Sequence, residues 1–306
     1  MKRPLLALLV LAAAAADGAV LNVEFKFTPY TGDTKNDQVE SVAGTAKIFL
    51  NGVPLTEQPV TAQTLPVLFD AREIGPAVWV PASSLGPAVR KGRNSIRIEF
   101  EPADAALAYK AQLRWATVTD QTTRSESGPG QMAETNQADE GGEEKQAKGK
   151  VEFQREFTAD FAQDMPWHHY PVVNRVEEKD RQALADLVKA RADLYKPKFD
   201  GIYKLLAAKP GVEVARVRKA KCLDTAYKAG VRVPAPAADQ LDFVTSGQPE
   251  VVVRRKGSDL FTFDPAQFQR IKDGDIQMCA GMVLEMVFPR QLIAVRNPAG
   301  TWEVPY

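Results

Sequence analysis

Between Val20 and Val118 the apolar positions fall in short alternating or clustered runs, punctuated by Gly, Pro and Asn. This is the pattern of short β-strands joined by turns. Val23-Glu24-Phe25-Lys26-Phe27 alternates strictly, and Ala46-Lys47-Ile48-Phe49-Leu50 ends at Asn51-Gly52, a strong hairpin signal. Val78-Trp79-Val80 predicts another short strand. Lys91-Gly92-Arg93-Asn94 is a turn leading into Ser95–Phe100. There Ile96, Ile98 and Phe100 share one face and Arg97 and Glu99 the other. Gln112–Val118 predicts a closing strand. No long amphipathic helix interrupts the region, so residues 20–118 are expected to form an all-β sandwich of jelly-roll type.

The pattern then stops. Thr119–Lys150 is rich in Gly, Gln, Glu, Ser and Thr and nearly devoid of large apolar side chains. Burial cannot offset the ordering entropy of such a stretch. Residues 119–150 are therefore expected to be a flexible, acidic linker.

Helical periodicity follows in residues 151–306. Glu178–Tyr195 places Leu184, Leu187, Val188 and Leu194 along one stripe, and Lys196-Pro197 ends it. Phe199, Ile202, Tyr203 and Leu206 mark a second helix, and Val214, Val217, Leu223 and Tyr227 a third that closes at Gly230. After Val233-Pro234-Ala235-Pro236 strands are predicted at Leu241–Val244, Val251–Val253, Leu260–Phe263, Gly281–Phe288, Leu292–Val295 and Trp302–Val304. A short helix is predicted at Ala266–Ile271. Helices first and strands later make an α+β domain, so the chain is expected to be multidomain.

The N-terminus adds an address. Met1-Lys2-Arg3 precedes an apolar run from Leu5 to Ala16 that ends in small residues. That is the build of a secretory signal peptide, expected over residues 1–19. The run is too short for a membrane span of about 20 apolar residues, and no transmembrane segment is expected after cleavage. The expected location is the periplasm or the exterior. Lys+Arg and Asp+Glu both number 39, which argues against a nucleic-acid partner, because such a partner demands a basic surface. Cys222 and Cys279 are the two cysteines; in an exported chain they are a plausible disulfide, though spacing alone does not bring them together.

Two resemblances follow. Ile48-Phe49-Leu50-Asn51-Gly52, with Leu85 and Lys91-Gly92-Arg93-Asn94-Ser95-Ile96-Arg97-Ile98, resembles the galactose-binding-like jelly rolls of many secreted glycosidases. The likeness implies a fold and names no ligand. The final pair Leu292–Val295 and Thr301–Val304 weakly resembles the closing hairpin of cystatin or NTF2-like α+β cones. Those folds pack helices into a curved antiparallel sheet.

No motif is specific for catalysis: Gly-x-Ser-x-Gly, His-Glu-x-x-His and a phosphate-binding Gly-rich loop are all absent. His168 and His169 are the only histidines. Beside Trp167 and Tyr170, with Asp160 and Asp164 near in sequence, they could move a proton or bind a metal; a domain-entry loop whose Trp and Tyr pack on the body is the favoured explanation. Adjacent residues in extended chain point opposite ways, so one site would rarely use both. Asp33, Asn36 and Asp37 form an oxygen-rich turn that could hold a structural Ca²⁺, although these residue types form turns without a metal. No other cofactor is expected. Trp79, with Arg72 and Glu73 shortly before it, could stack on a sugar ring whose hydroxyls the Arg and the acid bond; a Trp between two valines more often suits a core, as does Trp115. The basic stretch Lys209–Arg232 could meet an acidic partner or simply be a solvated face. Phe261, Phe263, Phe288 and Trp302 could line a pocket or form core.

These features lead to an expected non-catalytic binding or scaffolding protein of the envelope, contacting protein or glycan. The rival is an envelope hydrolase or isomerase using His168 or His169.

Overall fold

The computed structural model describes residues 18–68, 72–209 and 211–305. The expected signal peptide falls almost wholly outside them. Among the described residues the fold is mixed α and β, its sheets are antiparallel, and none closes into a barrel. Two compact units divide the chain. The first holds the chain through Ile48 together with Thr56–Gln163; the second holds Phe49–Leu55 and the chain from Asp164 onward.

The first unit contains β1 (Val20–Thr31), β2 (Gln38–Ser41), β3 (Gly44–Leu50), β4 (Val53–Val60), β5 (Thr64–Leu68), β6 (Glu73–Ile74), β7 (Val78–Pro81), β8 (Gly92–Pro102), β9 (Ala108–Gly128), β10 (Gln131–Lys148) and β11 (Val151–Ala159). The tip of the β3–β4 hairpin belongs to the second unit. One sheet runs β10-β9-β1-β2-β5-β6, with β7 also pairing β1; the other runs β11-β8-β3-β4. Alternation decides which side chains meet between the sheets. Phe25 and Phe27 of β1 and Leu113 of β9 are buried, as are Ile96, Ile98 and Phe100 of β8 and Phe153 of β11. The Phe27 ring lies 5.7 Å from Phe100 and 5.8 Å from Phe153, centroid to centroid. Such offset and edge contacts suit the ring quadrupole.

The expected flexible linker over Thr119–Lys150 is corrected here: those residues lie mostly in β9 and β10, paired from Gln131↔Gly128 to Lys148↔Ala108. Backbone pairing holds this hairpin, with cross-strand contacts such as Arg124 Nε to Glu134 Oε1 at 2.6 Å. A strand polar on both faces has no apolar period for the sequence to reveal. The expected boundary at Val151 moves as well, because β11 pairs with β8 and stays in the first unit.

The second unit contains α1 (Glu178–Ala192), α2 (Asp200–Ala207), α3 (Val214–Ala220), α4 (Cys222–Lys228), β12 (Leu241–Thr245), β13 (Glu250–Arg255), α5 (Pro265–Phe268), α6 (Gly274–Val287), β14 (Leu292–Arg296) and β15 (Trp302–Glu303). The four strands form a meander, β12-β13-β14-β15. Helix α1 and β15 meet where Trp302 Nε1 donates to Asp180 Oδ1 at 3.0 Å, both residues buried. Cys222 on α4 and Cys279 on α6 stand at disulfide distance, their Cα atoms 6.0 Å apart.

Three expectations change in this unit. Gly281–Phe288 is no strand: Gly281–Val287 is the second half of helix α6, and Phe288 follows its end. Asp273 caps that helix by accepting from the N–H groups of Asp275 and Ile276 at 3.0 and 3.1 Å. Ala280, Val283, Leu284 and Val287 then fall on its buried face. A continuous apolar run fits either period, and only its cap and length decide. Leu260–Phe263 forms no strand, although Leu260 and Phe261 are buried. The single helix expected over Val214–Tyr227 is two, broken at Lys221, whose φ of 53° is left-handed.

Candidate functional site

The outward face of the larger sheet gathers charged side chains around an exposed indole. Strand alternation puts Phe25 and Phe27 inward, so Glu24 and Lys26 of the same strand face out. Pairing then aligns them with their neighbours. Lys26 is opposite Trp79 of β7 on one side and Arg114 of β9 on the other. Arg114 is in turn opposite Gly142 of β10, and Ala116 opposite Glu140. One row across the sheet therefore reads Trp79, Lys26, Arg114, Gly142. The next reads Pro81, Glu24, Ala116, Glu140.

Trp79 is 56% exposed, against the usual habit of a Trp between two valines. Its indole N–H donates to Glu24 Oε2 at 3.0 Å, which fixes one edge of the ring. Lys26 Nζ sits 3.1 Å from Glu24 Oε1 and 3.0 Å from Glu73 Oε1. The Glu73 carboxylate, and after it Glu24, holds the Lys26 ammonium above its ordinary pKa against the opposing effect of partial burial. Beside this triad is a shallow open depression lined by Glu24, Lys26, Glu73, Arg114 and Glu140 among others. Arg72 is exposed at the end of the same sheet, next to Glu73, and its carbonyl accepts from Gln112 Nε2 at 3.5 Å.

The glycine pair in β10 has a reason on each face. A Cβ at Gly141 would overlap the Trp115 indole on the inward side. A Cβ at Gly142 would come within 2.9 Å of Arg114 Cδ on the outward side. Trp115 itself is half-buried, with the Arg155 guanidinium 4.1 Å above its ring, a cation–π contact. An indole beside fixed carboxylates and cations can stack on an apolar ring face while the charged groups bond hydroxyls around it.

The other candidates are placed differently. His168 and His169 end a short 3-10 turn, Pro166–His169. The His168 side chain is 2% exposed, lies against Trp167 and accepts from the Met165 N–H at 3.4 Å. His169 is exposed, its Nε2 2.9 Å from Asp164 Oδ1. The turn brings both imidazoles to one carboxylate, Asp164 Oδ1 lying 4.0 Å from His168 Nδ1 and 2.9 Å from His169 Nε2, against the expectation that one site would rarely meet both. Asp160 is not with them; its carboxylate accepts from the Val20 N–H at 2.8 Å. At the oxygen-rich turn Asp33 Oδ1 accepts from the Lys35 N–H at 3.0 Å, and the Asp37 carbonyl accepts from Val67 at 2.8 Å. Among the described residues no group of three or more His, Cys, Asp and Glu is arranged to hold a metal ion. Phe261, Phe288 and Trp302 are buried, and Phe263 packs against them. In the basic stretch, Arg218 lies 4.1 Å above the Tyr203 ring and Arg232 4.0 Å above Tyr227.

Of this face the residue pattern singled out Trp79, Arg72 and Glu73. Glu24 and Lys26 carried a signal in the alternation of Val23–Phe27. Arg114, Glu140 and Gly142 carried none, since pairing across strands distant in sequence assembles them. No protein-family model, no curated protein and no solved structure matches this chain.

Proposed function

We propose that this chain is an exported, non-catalytic binding protein of the periplasm or cell envelope. On this reading its first unit is a jelly-roll-like β-sandwich that contacts a glycan through the Trp79 face. The observation that carries the reading is an indole 56% exposed on a sheet, held by Glu24 and opposite Lys26, which is itself paired with Glu73 and opposite Arg114 on its other side. Exposed tryptophan is costly to solvate and here is oriented rather than packed away. Fixed charges on both sides suit the hydroxyls of a mostly neutral saccharide. The apolar N-terminal run and the paired cysteines support export, and no helix among the described residues is long and apolar enough to cross a membrane. The test is a glycan array probed with the chain and with its Trp79→Ala variant. Oligosaccharide binding that Trp79→Ala abolishes supports the proposal; a blank array, or binding unchanged in the variant, refutes it.

One observation favours a second reading. The His169–Asp164 pair is an imidazole and carboxylate at 2.9 Å, the spacing of a proton-transfer couple. A hydrolase or isomerase using it would lose turnover in His169→Ala while keeping its fold.

A further inference from the structure

The larger sheet ends in β10, which pairs with β9 along its length and has no strand on its other side among the described residues. Its 18 residues make an open edge about 60 Å long at roughly 3.4 Å per residue. Pairing of β9 with β1 stops at Val20↔Thr119. Beyond that point β9 and β10 continue as two strands alone, polar on both faces. A two-stranded hairpin without an apolar face is marginal by itself, and a third strand would add a ladder of backbone bonds.

The charge of the edge says which strand it would take. Asp139, Glu140, Glu143 and Glu144 crowd into six residues of β10. Alternation puts Glu140 and Glu144 on the Trp79 side of the sheet and Asp139 and Glu143 on the other. A strand added here meets carboxylates on both of its faces. A second copy docking antiparallel through the same stretch would set acid opposite acid, which is destabilising. An extended segment carrying Lys or Arg opposite residues 139–144 would meet the Asp139 and Glu140 carboxylates on its two faces and would share Glu143 with Lys145 and Glu144 with Lys110, which lie 3.1 and 3.7 Å from them.

We propose that the β10 edge binds a basic, extended segment of another polypeptide as an added antiparallel or parallel strand. This inference is independent of the glycan proposal, since it uses the strand edge and not the Trp79 indole.

The probe is a fluorescent decapeptide alternating Lys and Thr, with a Glu-for-Lys counterpart as control, titrated into the full chain by anisotropy. The Lys peptide is expected to bind and to slow amide exchange within residues 138–147. The control is expected not to bind. Asp139→Asn, Glu140→Gln, Glu143→Gln and Glu144→Gln together are expected to weaken binding by about tenfold or more, with the circular dichroism unchanged. Should that variant unfold, a salt titration of the unaltered chain replaces it, and affinity is expected to fall as ionic strength rises. No binding of the Lys peptide, binding indifferent to the four substitutions or to salt, or protection lying outside β10 would each overturn the proposal. So would sedimentation showing that the chain dimerises through β10.

Discussion

Trp79 and Trp302 make the same bond in opposite surroundings. Each donates its indole N–H to a carboxylate at 3.0 Å, Trp79 to Glu24 and Trp302 to Asp180. Trp302 is 6% exposed and its acceptor 5%, whereas Trp79 is 56% exposed. In the second unit the bond satisfies two groups that water cannot reach, and leaving either unmade would carry the full desolvation penalty. On the sheet of the first unit water could replace the bond at little loss. The shared geometry therefore says nothing about role; burial does. A buried indole bond locks α1 to β15, while an exposed one orients a ring that the fold does not need for its own stability.

The largest expected effect tests the buried member. Trp302→Ala should destabilise the chain by about 3–5 kcal/mol, from lost burial and a stranded Asp180. Urea denaturation measures it, and a loss below about 1 kcal/mol would break the comparison. Next is the covalent tie of the same unit. Cys222 and Cys279 are 57 residues apart in sequence, and Cys222→Ser with Cys279→Ser should cost about 2–4 kcal/mol in denaturant.

A smaller effect of opposite sign sharpens the picture of burial. The Tyr195 hydroxyl is buried without a hydrogen-bond partner among the described residues, within a cluster of Phe199, Tyr227 and Phe288 rings. Tyr195→Phe should raise stability by about 1 kcal/mol, read as a higher denaturation midpoint.

The first unit supplies a pH test. Burial pushes the Tyr109 phenol up to about 12, and its hydroxyl donates to the Gly149 carbonyl at 2.6 Å. The folded state thus holds this proton more tightly than the unfolded chain, whose phenol titrates near ~10. The stability it contributes is complete below ~10 and is lost as pH climbs toward about 12. Tyr109→Phe should flatten that alkaline decline in a series of thermal melts. The smallest effect belongs to the exposed indole: Trp79→Ala should change stability by no more than about 0.5 kcal/mol.

Where a strand has one buried face, the sequence was legible. The pattern of Val23–Phe27 and Ser95–Phe100 marks strands that the structure contains, because their alternation is the burial itself. Where backbone pairing alone holds a strand, as in β9 and β10 beyond Thr119, composition reads as disorder. Helix α6 was illegible for a different reason: its apolar run fits both periods, and the deciding Asp273 cap is a local geometry. Val214–Lys228 splits at Lys221 through one left-handed residue that no periodicity shows. The candidate site was visible at its indole and at Arg72 and Glu73 just before it in the chain. Its remaining charged surroundings come from strands far apart in the chain, joined by a register that a single sequence does not display.

The claim that the Trp79 face is a recognition surface can be tested by iodide quenching of tryptophan fluorescence. The chain has four tryptophans, of which Trp115 and Trp167 are half-buried and Trp302 is buried, so Trp79 dominates the quenchable signal. A bound oligosaccharide stacked on that ring should shield it from iodide, and Trp79→Phe should remove most of the quenching and abolish the shielding. Quenching unchanged by an oligosaccharide that demonstrably binds would place recognition elsewhere and contradict the account.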